Sequence, residues 1–207
     1  IVDTVVRKHR GVMENVTPLS CLLSWNVVRP CASHAQAACL AALQIQEILQ
    51  DHRLQKYRSL PHICVGIWSG PVVCGIFGYE TLKHAGGLGL GYNHVVELQE
   101  YAALMRYSIV ANWQTYDLIK AAPCVRLLAV DVLDYSSRCR KQKSTGPMGE
   151  VVFEVIEEIT ANDDEWMYQL AASKSALQSD EFIMELWSGL QQGMHDLSNM
   201  VDRLKQC

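Results

Sequence analysis

No apolar run in this chain of 207 residues reaches the ~18 residues that a membrane-spanning helix requires. Charge is sparse too. Charged residues make up 19% of the chain, and the net charge of −4 and pI near 6.0 remove the electrostatic case for nucleic acid or an anionic membrane surface as partner. The eight cysteines (21, 31, 39, 64, 74, 124, 139 and 207) include no CxxC pair. Several lie in apolar runs such as CVGIW and AACLAAL, which suits small buried hydrophobes in a reducing compartment better than a disulfide framework or a zinc site. A cytoplasmic setting is therefore expected. The seven histidines are scattered without an HExxH pair, and Gly86–Gly91 (GGLGLG) lacks both the Walker lysine and a strand-framed GxGxxG. No metal or cofactor is expected. No internal repeat is visible. The sequence opens at Ile1, not an initiator Met, on residues that are not signal-like, and a processed chain or part of a longer one is expected.

What is present is enough for a packed core: 49% of the residues are hydrophobic. Residues 1–10 read as a helix end, with Ile1, Val2, Val5 and Val6 on one side and Arg7, Lys8 and Arg10 near its C-terminus, where the dipole favours cations. Gly11 stops it. Strand-like pieces at 12–17 and 19–27 are broken by Pro18, which fits a hairpin turn. Ser33 is a candidate N-cap for a long helix to about Gln50. His62–Trp68 and Val72–Phe77 read as two strands joined into a hairpin by Ser69-Gly70-Pro71. His84–Gly91 reads as a strand edge and turn. A helix at 93–105, a strand at 108–111, a helix at 113–120 and strands at 124–133 and 150–157 complete this part. Trp25, Trp68 and Trp113 are expected in a core or interface. The order predicts an α+β sandwich with helices on one sheet face.

Between the last two strands, residues 136–149 form a polar, basic stretch. Its RCRKQK run is either a solvated loop or a docking surface for an acidic partner. After Ile159 the composition changes, and the domain organisation expected is 1–159 followed by a helical extension, 160–207. In that extension Ile183, Trp187, Leu190, Met194, Leu197, Val201 and Leu204 are spaced 4-3-4-3-4-3, an apolar heptad seam over a helix of about 180–205 with Ser179 as N-cap. Such a helix either packs on its own domain or pairs with a partner.

Three stretches in order resemble one family. VVRKHRGVMENV is similar to a helix-to-strand passage of the class III adenylate/guanylate cyclase catalytic domains, SHAQAACLAALQIQEIL to their next helix, and HICVGIWSGPVVCGIFG to their LRVGIHTGPVVAGVVG segment. SIVANWQTYDLI and GEVVFEVIEE resemble later elements, so the resemblance runs from Ile1 to about Glu158. It implies a ferredoxin-like nucleotide-cyclase sandwich, working as head-to-tail dimers with nucleotide at the interface. The strand that carries the family's first metal-binding Asp would precede Ile1; either preceding sequence supplies it or the sheet is built differently.

The resemblance also implies where chemistry would reside. Cyclisation needs two metal ions held by two Asp carboxylates. The second of these falls at Leu19, which cannot ligate, and the base-recognising Lys falls at Asn15. The family's Asn/Arg pair falls on Asn93 and Glu97, or two residues later on Val95 and Gln99. Neither register offers a cation, and Glu97 would repel a triphosphate. Asn93 itself is either a helix cap or a catalytic remnant. The expected function is a catalytically inactive cyclase-like interaction module in a larger assembly, docking a protein partner or neighbouring domain through the cyclase dimer face and the heptad helix. A flagellar or cytoskeletal setting is one that fold analogy offers. The alternatives are a cyclase subunit that needs a complementary partner and a nucleotide sensor without turnover.

Overall fold

The computed structural model describes residues 1–55, 62–133 and 150–159. The basic stretch at 136–149 and the heptad helix predicted at 180–205 lie outside them. The chain divides into two units, Ile1–Val130 with Val151–Ile159, and Asp131–Glu150 with Thr160–Cys207. The described residues belong to the first unit, apart from the strand ends at 131–133 and 150.

Helix α1 (Val2–Lys8) ends where Gly11 N–H reaches back to Val6 O at 2.8 Å and Arg10 takes a left-handed φ of 64°. Gly11 is required by packing: a Cβ there would stand 2.6 Å from the Trp25 ring, whose Nε1 donates to His9 O. Strands β1 (Val12–Val16) and β2 (Cys21–Ser24) form the expected antiparallel hairpin, with an irregularity between Met13 and Asn15 that leaves Glu14 without a cross-strand partner. Helix α2 (His34–Gln55) runs further than the sequence suggests. Val5, Val6, Ala41 and Ile45 lock α1 onto it.

The main sheet has four strands in the order β3-β6-β8-β7. These are β3 (Val65–Ile67), β6 (Ile109–Asn112), β7 (Val125–Leu133) and β8 (Glu150–Glu158). β3 and β6 are parallel, and β6 and β8 antiparallel. Ile67, Ile109, Ala111 and Val155 share a core with Ala35, Cys39 and Ala42 of α2 and Ile119 of α4 (Trp113–Ile119). Phe153 joins this side: its ring stacks on Tyr116 at 4.4 Å and lies 5.9 Å from Trp113.

Helix α3 (Gly91–Met105) takes the other face, contrary to the expectation of helices on one side. Gly66 alternates with Val65 and Ile67 along β3. A Cβ on it would meet Gln99 N at 2.6 Å and Val95 O at 2.7 Å, so β3 and the α3 backbone are in direct contact there. The reason is a missing side chain, which hydrophobic periodicity does not report.

The hairpin predicted across Ser69-Gly70-Pro71 is also corrected. β3 pairs with β6 instead, while β4 (Val73–Tyr79) pairs with β5 (Leu82–Leu88) through seven cross-strand partners and a two-residue turn at Glu80-Thr81. Ser69 is held elsewhere. The buried Asn112 side chain accepts its N–H and donates to its C=O, both at 3.0 Å, continuing the β3–β6 ladder by one side-chain rung. Trp68 folds over Gly70 and Gly91, where no Cβ would fit. The chain leaving β3 therefore does not return to pair with it.

Candidate functional site

The turn between β1 and β2 is organised by Thr17, whose Oγ1 accepts the N–H groups of Leu19 (3.3 Å) and Ser20 (2.9 Å), while its own N–H donates to Ser20 O. Leu19, at the position that the resemblance gives to a metal carboxylate, is 98% exposed at this tip. Asn15 is exposed on β1.

One residue before Asn15, Glu14 turns inward at the irregularity. Its Oε2 accepts the Tyr92 hydroxyl at 2.9 Å, and that hydroxyl oxygen in turn accepts Gly87 N–H at 3.1 Å. Burial, reinforced by the Glu14 hydrogen bond and charge, pushes the Tyr92 phenol up to about 12. Glu14 Oε1 is buried and, among the described residues, has no hydrogen-bond partner. This contact joins β1, β5 and the start of α3, placing Asn15 and Asn93 each one residue from a bonded pair. Neither Glu14 nor Tyr92 stands out in the sequence. The one available signal is an acid in the middle of the apolar strand VMENV.

Helix α3 begins at Gly91 rather than at Asn93, with Leu90 as N-cap and no side-chain cap. Asn93 is therefore an exposed first-turn residue whose N–H donates to Leu90 O at 2.9 Å, and not the cap. Glu97 faces His94, with Oε2 to Nδ1 3.5 Å. Val95 and Gln99 supply the backbone against Gly66. Within the described residues no three His, Cys, Asp or Glu side chains group as metal ligands. Ile183, Trp187, Leu190, Met194, Leu197, Val201 and Leu204 fall outside those residues.

At the base of α4, Asn112 Oδ1 accepts Thr115 N–H at 3.3 Å, capping the helix, and Thr115 Oγ1 lies 2.8 Å from both Asn112 Oδ1 and Ser69 Oγ. The six described cysteines are free thiols. Burial, followed by the influence of Cys124, pushes the Cys39 thiol up to about 12, which leaves it an inert core group.

The β4–β5 arm carries a group of exposed large apolar side chains. Val73, Ile76, Tyr79, Leu82 and Leu88 are 56–79% exposed, and Leu90 just beyond is 61% exposed. Paired partners share a face, so Val73 with Leu88 and Tyr79 with Leu82 stand on one side and Ile76 with Ala85 on the other.

No protein-family model and no curated protein matches this sequence. Solved structures do match its fold. A bacterial light-regulated adenylyl cyclase superposes with a TM-score of 0.60 at 16% identity, covering 82% of this chain and 46% of that one. This chain thus spans less than half of that longer protein. The guanylate cyclase domain of RhGC from Catenaria anguillulae, in complex with GTP, gives 0.58 at 17% identity over 76% of this chain and 79% of that one. The guanylyl cyclase Cya2 gives 0.59 at 18% identity over 76% of each chain.

Proposed function

We propose, with the fold of an adenylyl/guanylyl cyclase catalytic domain as the premise, that this chain is a catalytically silent member of that fold acting as a structural or regulatory protein-interaction module. The observation that carries the reading is the β4–β5 arm. Six large apolar side chains between Val73 and Leu90 stand more than half exposed, on both faces of the two-stranded ribbon and just beyond its end. A concentration of exposed large apolar side chains on one element points to an interaction site in soluble proteins. A two-stranded ribbon by itself is marginal in water, and this one is anchored at Gly87 to Tyr92, so a partner covering the rest would stabilise it. The exposed Leu19 supports the silent half of the reading, because an alkyl side chain at the hairpin tip cannot ligate a metal ion. Ile183, Trp187, Leu190, Met194, Leu197, Val201 and Leu204 are proposed as a second contact.

The test uses Ile76→Asp with Leu82→Asp in the full chain. Both side chains are exposed (72% and 79%), so the cooperative melt should be retained while association with proteins of the native assembly is lost. Unchanged association would sink the arm as the contact. Trp187→Asp probes the helix separately, and loss of the cooperative melt there would show intramolecular packing instead. Incubation with ATP or GTP and Mg²⁺ or Mn²⁺ tests the silence. Formation of cyclic nucleotide, alone or with a complementary cyclase subunit, would overturn it.

A further inference from the structure

The first quarter of the chain has a charge pattern that the overall balance conceals. The whole chain is net −4, yet between Asn15 and Gln46 there is no Asp or Glu at all. Arg29 falls inside this region, and Lys8 and Arg10 precede it, with Glu14 as the one acid between. The fold brings part of it to one place. The end of α1 and the beginning of α2 border an open surface cleft of about 240 Å³ whose lining includes Lys8, His9, Arg10, Ser33 and Gln36 and no carboxylate.

The hydrogen bonds of these side chains show what the cleft lacks. Lys8 Nζ donates to Gln44 Oε1 at 3.3 Å, His9 Nε2 lies 2.9 Å from the same oxygen, and Arg10 Nη2 reaches Pro30 O only at 3.5 Å. All three partners are neutral oxygens. Neighbouring Arg7 differs: it is bound to both oxygens of Asp3, at 2.9 and 2.8 Å, and does not line the cleft. Among the described residues, the ion pair in this region is that of Arg7, and the two cations facing the cleft are without one.

We infer that this cleft is a binding site for a phosphate dianion, either free or as the phosphomonoester of a phosphorylated side chain. Its cations, clustered and held only by neutral acceptors, supply the uncompensated positive charge. A phosphomonoester carries about −1.5 to −2 charges at pH 7 and three acceptor oxygens, which matches one ammonium and one guanidinium fork better than a carboxylate does. The site is separate from the Glu14–Tyr92 contact and from the β4–β5 arm, and does not depend on the arm being an interaction surface.

The test is an NMR titration of the full chain with inorganic phosphate, with O-phosphoserine and with sulfate at matched ionic strength. Saturable shifts confined to the amides of residues 8–11 and 33–37 are expected with the first two ligands and weaker ones with sulfate. Tighter binding of phosphoserine would assign the group to a modified protein, and tighter binding of inorganic phosphate to the free anion. Lys8→Gln with Arg10→Gly should weaken binding about tenfold, two exposed charge contacts of up to ~1 kcal/mol each. Glycine suits the φ of 64° at position 10, so the melting temperature should hold or rise. Arg7→Gln should leave binding unchanged. Absence of saturable shifts, equal response to sulfate, or undiminished binding in the folded double variant would each overturn the site. If the double variant does not fold, Lys8→Gln alone should still weaken binding about threefold.

Discussion

Replacing Asn112 with alanine tests whether the rung between β3 and α4 holds the fold in the way the geometry indicates. Asn112 is fully buried; its amide accepts Ser69 N–H and donates to Ser69 C=O, both at 3.0 Å, and its oxygen caps α4 through Thr115 N–H. Alanine removes the cap, worth about 1 kcal/mol. It also strands a donor and an acceptor of Ser69, a residue only 7% exposed, at about 1–3 kcal/mol each. If water reaches one of the two, the sum is about 2–4 kcal/mol, a large share of the ~5–15 kcal/mol that holds a typical domain. Asn112→Ser should lie between, because a hydroxyl restores the cap while being too short to span both Ser69 groups. Asn112→Asp keeps the acceptors but opposes a carboxylate to the Ser69 carbonyl, and should be at least as damaging as alanine. Urea unfolding followed by far-UV dichroism reads all three as shifts in midpoint at constant slope. An alanine variant within about 0.5 kcal/mol of wild type, the range of an ordinary surface substitution, would refute the reasoning.

The close approach of β3 to α3 makes Gly66→Ala an overpacking mutation: backbone atoms lie 2.6 and 2.7 Å from the new methyl, and a loss of about 1–3 kcal/mol or more should appear as a lower thermal midpoint. Tyr92 gives a pH prediction. Its phenol is raised from 10.0 to about 12, so the neutral form is favoured by folding. The stability it contributes is therefore complete below the unfolded value and is lost as pH rises from about 10 through about 12. Melts of wild type should fall more steeply over that window than those of Tyr92→Phe, and parallel pH profiles would exclude the Glu14–Tyr92 bond as the cause.

Local signals carried much of the fold. Val5 and Val6 on one face of α1, the alanine-rich run of α2, Pro18 between two short strands and the apolar strands β6, β7 and β8 each follow from spacing and turn chemistry within a few residues. The ordered resemblance added the fold of the set, and solved cyclase structures share it. Strand partners were less legible. The segment after Trp68 reads as a tight turn, and its destination was set by Asn112, 43 residues away in sequence. LKHAGGL hides its alternation behind two glycines, so β5 read as an edge and turn.

The candidate site divides in the same way. That Leu19 cannot ligate a metal ion is a matter of residue chemistry and was settled by the sequence. That it stands at an exposed tip, that Glu14 turns inward to Tyr92, and that Lys8 and Arg10 line a cleft with no acid in it required the folded chain. A sequence states which groups exist and the local period in which they recur. Which of them meet depends on contacts between segments far apart along the chain, where a single missing Cβ at Gly66 or a side-chain rung at Asn112 decides which face and which strand become neighbours.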